Sequence, residues 1–159
     1  MTSKRSLRGF TIAELITVCA IIAILAAMVM PVATLGLRRQ KELELHDRLR
    51  KLTDAIDRYH DYRSATGPVK MKDMKELGST DYPKKLEDLI KPIELTDNSK
   101  IRLLRERDLI DPMTGKKEWL TLSTTDDPDT HSSNNDDVFE VHSTSTALSL
   151  DGVTHYNEW

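Results

Sequence analysis

The chain has 159 residues, with 23 lysines and arginines against 26 aspartates and glutamates and a formal net charge of −3. That length fits one modest domain with an appended segment. The interleaved signs exclude nucleic acid as the main partner, because phosphate binding needs a concentrated basic stripe. Cys19 is the single cysteine, so no intrachain disulfide holds the fold.

Residues 1–9, MTSKRSLRG, carry Lys4, Arg5 and Arg8 and no acid. Residues 10–37, FTIAELITVCAIIAILAAMVMPVATLGL, are apolar on every side rather than along one face, which argues against a core helix. As a helix this run would be about 42 Å long, enough to cross a hydrocarbon core of about 30 Å. A cleaved secretory signal is the rival reading, with Ala23, Ala26 and Ala27 as small residues near a cut. The run is long for that, and Pro31 lies deep within it. Lys4, Arg5 and Arg8 before the span are balanced by Arg38, Arg39 and Lys41 after it, so charge alone does not orient it. Cys19 reads as a small buried hydrophobe, with an intermolecular pair as the alternative. Pro31 removes one backbone hydrogen bond, and with Gly36 it marks where the helix is expected to kink.

One residue does not fit the span. A carboxylate at the centre of a membrane helix costs about 2.5–3.5 kcal/mol, and less near an end. Glu14 therefore either snorkels at the interface or has a partner outside its own helix.

The segment RGFTIAEL resembles the class III signal of type IV pilins and type II secretion pseudopilins. In that family a basic leader ends in glycine, here Gly9, and the mature chain opens on phenylalanine, here Phe10. Threonine follows as Thr11, and a glutamate stands fifth in the mature chain as Glu14. The resemblance implies cleavage between Gly9 and Phe10 by a prepilin peptidase, N-methylation of Phe10, and a kink at Pro31. It implies that Glu14 compensates the new amine of a neighbouring subunit, a pairing that low dielectric strengthens. It also sets topology, with the N-terminus cytoplasmic and the remainder periplasmic.

Residues 38–66 continue as a helix with one apolar stripe, Leu45, Leu49, Leu52, Ile56 and Tyr59. Glu44–Arg48, Asp47–Lys51 and Asp54–Arg58 are acid-before-base pairs at i,i+4. Thr66, Gly67 and Pro68 predict its end. Residues 80–90, TDYPKKLEDLI, predict a short helix with Leu86, Leu89 and Ile90 inward. DPMTGK, 111–116, is turn chemistry. EWLTLST, 118–124, and VFEVHSTS, 138–145, alternate as strands, and VTHYNEW, 153–159, is a third candidate. A small antiparallel sheet on a helical stem follows, an α+β architecture. Tyr82-Pro83, Asp111-Pro112 and Trp159 extend the resemblance to the major pseudopilin of type II secretion, and paired cysteines of the kind that close many pilin loops are missing.

Between the two strands lies TDDPDTHSSNNDD, 125–137. Asp126, Asp127, Asp129, Asp136 and Asp137, with Asp151, are hard oxygen donors of the type that suits Ca²⁺. Calcium binding in the resembling family makes this a candidate site, and a solvated acidic loop is the alternative. His46, His60, His131, His142 and His155 are scattered, with no metal-binding or nucleophile motif, so enzymatic chemistry is not expected.

The expectation is a type IV pilin fold in four parts: leader 1–9, transmembrane and polymerisation helix 10–37, amphipathic stem 38–66 and periplasmic globular domain 67–159. The expected function is a pseudopilin that polymerises into a periplasmic filament driving type II protein secretion. The alternative is a type IV pilus major pilin serving adhesion, motility or DNA uptake. A membrane-anchored periplasmic ligand-binding domain stands further off. Expected partners are copies of the chain, minor pseudopilins, the prepilin peptidase, the inner-membrane assembly platform and the membrane.

Overall fold

The computed structural model describes residues 9–64, 69–72, 80–127, 130, 133, 134 and 136–159, without the side chains of residues 28 and 30–32. The leader residues before Gly9, the helix stop at 66–68, and Asp129 and His131 lie outside them. Two compact units divide the chain, Met1–Arg39 and Gln40–Trp159. Helix α1, Ile12–Arg63, contributes residues to both.

In the first unit α1 has no core to face. Ile12, Leu15, Ile16, Ile21, Ile22, Ile24 and Leu25 are each more than half exposed. Cys19, expected to be a buried hydrophobe, is exposed here, because the helix around it packs on nothing in this unit. The helical assignment runs unbroken through Pro31 and Gly36. Among the described residues no helix is long and apolar enough to cross a membrane.

In the second unit the helix has a buried face. Leu45, Leu52, Ala55 and Ile56 are buried and Leu49 and Tyr59 half-buried, a stripe set by the 3.6-residue period. Leu86, Leu89, Leu104, Leu109, Val138 and Val141 complete the core around Leu52, Ala55 and Ile56. Full burial of side chains of this size stabilises by roughly 1.5–3 kcal/mol each. The expected helix over 80–90 is a single 3₁₀ turn, Leu86–Leu89, and both leucines point inward.

The strands form two separate antiparallel ribbons rather than one sheet. β1 (Ile93–Glu94) pairs with β2 (Lys100–Ile101) in a hairpin whose Asn98 takes φ 63°. Asparagine tolerates that left-handed geometry better than most residues. β3 (Trp119–Leu122) pairs with β4 (Glu140–Ser143), with Trp119 opposite Ser143 and Leu122 opposite Glu140. These are the two strands that alternation predicts. The third expected strand does not form. His155 makes one bridge to Leu148, and Tyr156–Glu158 is a 3₁₀ turn. Gly152, at φ 73°, reverses the chain just before it.

The DPMTGK turn ties the second ribbon to the core. Asp111 is fully buried, and its carboxylate accepts Met113 N–H at 2.7 Å and Ser143 Oγ–H at 2.7 Å. The Gly115 amide donates to the Asp111 carbonyl at 2.8 Å, and Gly115 has φ 73°, a conformation that favours glycine.

Candidate processing and assembly site

Gly9, Phe10 and Thr11 are non-helical and exposed, and α1 starts at the next residue. Thr11 Oγ1 accepts the Glu14 N–H at 3.3 Å, and the Thr11 carbonyl accepts the Leu15 N–H at 3.1 Å. These are the bonds of an N-cap, and Thr-x-x-Glu is the spacing of a capping box. Glu14 thus occupies the first helical turn, where a carboxylate interacts favourably with the helix dipole by about 0.3–1 kcal/mol.

Phe10 is 84% exposed, and a Cβ built on Gly9 meets nothing within 4 Å. Glycine at this position is therefore not demanded by packing against the described residues. Glu14 is likewise exposed, and among the described residues its carboxylate pairs with no cation. The arrangement presents an accessible peptide bond, an aromatic side chain and an unpartnered acid within one helical turn of each other in sequence.

Of the acidic residues expected for calcium, Asp126, Asp137 and Asp151 have their carboxylates engaged within the fold. Asp137 is buried and accepts Thr124 N–H and Thr124 Oγ–H, each at 3.0 Å. Burial pushes its carboxyl up, but donors from Thr80, Ser123 and Thr124 outweigh that and hold it below the usual carboxylate range. Asp126 closes the turn after β3 through Ser123 N–H at 2.8 Å and accepts the Asn134 N–H at 3.3 Å. Asp136 is exposed, its backbone N–H donating to Asn134, and the carbonyl of Asp127 accepts Thr130 N–H. Asp151 caps its own turn, accepting Val153 N–H at 2.8 Å, Thr154 N–H at 3.0 Å and Thr154 Oγ–H at 2.5 Å. Those donors hold it at about 2. Among the described residues no three acids, histidines or cysteines stand together as metal ligands. Calcium takes 6–8 oxygens, and the Asp126, Asp137 and Asp151 carboxylates already accept hydrogen bonds from nearby amides and hydroxyls.

One constellation was not anticipated. Glu42, on the solvated-looking start of the stem, accepts Tyr156 O–H at 2.8 Å, Leu150 N–H at 2.7 Å and Ser149 Oγ–H at 3.3 Å through one oxygen. His46, one turn on, stacks on Trp159 with ring centroids 4.3 Å apart. The helix thereby clasps the C-terminal loop with a carboxylate and a ring. Arg48 bridges Glu44, at 3.3 Å, and the buried Asp108. His60, also on the stem, is half-buried and stacks on Tyr82 at 4.5 Å.

Residues 4–30 match the family model described as the prokaryotic N-terminal methylation motif. No curated protein and no solved structure matches the chain. The motif is a type IV prepilin-like signal and supports the pilin-like superfamily, whose members are structural rather than catalytic. It implies a prepilin peptidase substrate that assembles into filaments.

Proposed function

We propose that this chain is a pseudopilin, anchored in the bacterial inner membrane by residues 10–37, that polymerises into a periplasmic filament driving type II protein secretion. The observation that carries the reading is the methylation motif over residues 4–30, in which the Gly9–Phe10 bond is exposed and Glu14 follows in the first helical turn. A prepilin peptidase would hydrolyse that bond, release the leader with Lys4, Arg5 and Arg8, and leave an amine on Phe10 for methylation. Glu14 of one subunit would then meet the Phe10 amine of another. In low dielectric that attraction is strong, while an unpaired carboxylate is costly, so assembly removes a penalty that the isolated subunit bears.

The exposed apolar helix supports the same reading. A stretch with no core of its own needs lipid or other helices around it. The second unit has a core, a clasped C-terminal loop and hydrogen-bonded turns, as a domain carried outside the membrane requires.

Mass spectrometry of the chain from its native membrane tests the processing step. A mature chain beginning at N-methylated Phe10 is expected. A chain retaining Met1, or one cut near Ala27, would sink the filament mechanism. Glu14→Ala in the same cells is expected to abolish filaments while leaving cleavage intact. Loss of export with no surface fibres distinguishes the secretion role from that of a pilus pilin, which predicts long fibres on the wild-type cell.

A further inference from the structure

The boundary of α1 falls two residues beyond the Gly9–Phe10 bond, and Thr11 sets it. Resting on the processing reading above, we propose that Thr11 is a positioning residue for the prepilin peptidase: by capping the helix at residue 11 it holds the scissile bond outside the helix.

The argument starts from what a peptidase needs. Cleavage acts on locally unwound chain, at a rate that follows the population of the open form. A helix that began earlier would draw the scissile peptide into its first turn. Residues 12–27 contain no helix breaker and no competing cap signal apart from Thr17, whose hydroxyl is already turned back to the Ala13 carbonyl at 2.8 Å. The start of the helix is therefore decided at its N-terminal edge. Thr11 Oγ1 supplies the bond that stops it there, accepting the Glu14 amide, while the Thr11 carbonyl accepts the first intrahelical bond, from Leu15. Its side chain is exposed, so core packing does not explain it.

The nearest alternative cap is Gly9 itself. Glycine caps about as well as threonine, whereas alanine caps poorly and is the best helix former. Replacing Thr11 by alanine should therefore shift the cap to Gly9 and place Phe10 at the first helical position. The scissile bond would then be the peptide that enters the helix. Cap preferences of this kind correspond to about a two- to thirty-fold change in population, and the apparent cleavage rate should fall by the same factor.

The experiment uses full-length chain in membranes with added prepilin peptidase, and reads initial rates of leader loss by mass for wild type and for Thr11→Ser, Thr11→Asn, Thr11→Gly, Thr11→Ala and Thr11→Val. The capping residues Ser, Asn and Gly should cleave within about two-fold of wild type, and Ala and Val should be slower by the factor above. In the alanine variant the Phe10 carbonyl ¹³C shift should move toward helical values. Equal rates across the series would overturn the proposal. So would rescue by Ser alone, which would mean that the peptidase reads the hydroxyl, or slow cleavage of Thr11→Ala without the Phe10 shift. If wild type itself is not cut at Gly9–Phe10, the processing reading fails first and this inference with it.

Discussion

Glu42 offers the sharpest test of how the second unit holds together. Its single oxygen Oε1 accepts from Tyr156 O–H, Leu150 N–H and Ser149 Oγ–H, and the Tyr156 side chain is fully buried. Glu42→Ala would remove an acceptor from the Leu150 amide and from the phenol of the fully buried Tyr156. Hydrogen bonds to a charged group contribute about 1.5–3 kcal/mol each, and an orphaned buried donor costs about 1–3 kcal/mol. The three donors share one oxygen and the Ser149 contact is long, so the sum is taken at about 2–4 kcal/mol. At roughly 3–4 °C per kcal/mol for a chain of this size, Tm should drop by about 6–16 °C. Near-UV circular dichroism of the full chain in detergent follows it, because Trp159 stacks on His46 one turn away and on Tyr156 edge-on. Asp47→Ala is the control. It breaks only the Asp47–Lys51 pair, whose partners are both about half exposed, and should cost less than about 0.5 kcal/mol. If Glu42→Ala melts with Asp47→Ala, the clasp does not hold the loop and the reasoning is wrong.

Asp108→Ala leaves the Arg48 guanidinium, 16% exposed, without its main acid, and should cost roughly 3 kcal/mol by urea unfolding, well above any single surface pair. Gly115→Ala forces a Cβ onto φ 73° in open space, so only backbone strain operates; a loss of about 1–2 kcal/mol is expected, with unchanged spectra for the β3–β4 ribbon. Asp151 is held at about 2, below its ordinary 3.8, by donors in its own turn. A depressed carboxylate stabilises the fold above the unfolded value and loses that contribution as pH falls through the folded one. The Thr154 and Val153 amide resonances should therefore hold down to about pH 3 and shift with a midpoint near pH 2; a midpoint near 4 would show that the turn does not engage the carboxylate.

How much of this was legible depends on the range over which each signal acts. The stem stripe follows a 3.6-residue period, so Leu45, Leu52 and Ile56 were readable and are buried. β3 and β4 are long enough to alternate, and the DPMTGK turn announces itself through Pro and Gly. β1 and β2 have two residues each, too few to carry a period, and only Asn98 hints at the hairpin. The C-terminal segment was misread because VTHYNEW spaces Val153, Tyr156 and Trp159 three apart, the period of a 3₁₀ turn and not of a strand. Its central tyrosine answers to Glu42, 114 residues away, and not to a neighbouring strand. No local rule prices that contact. The acidic run shows the same limit: Asp126 and Asp137 look solvated in sequence, but in the fold their oxygens accept from Ser123 and Thr124 just beyond β3.

The N-terminal motif was legible for the opposite reason. Gly9 makes no contact that its lack of a side chain would serve, and Phe10 and Glu14 are exposed. A residue whose identity is not explained by its own fold has to be explained by another molecule, and an enzyme that cuts an extended peptide reads residues in sequence order. Such a signal must be written contiguously, which is why eight residues suffice to point to it. The clasp at Glu42 obeys the fold alone and can be assembled from any positions that the fold brings together. The two parts therefore call for different evidence. Substitutions around Thr11 and Glu14 should alter processing and assembly with little effect on the melting of the second unit. Substitutions at Glu42, Tyr156 or Asp108 should do the reverse, lowering Tm while the Gly9–Phe10 bond is still cut at the wild-type rate.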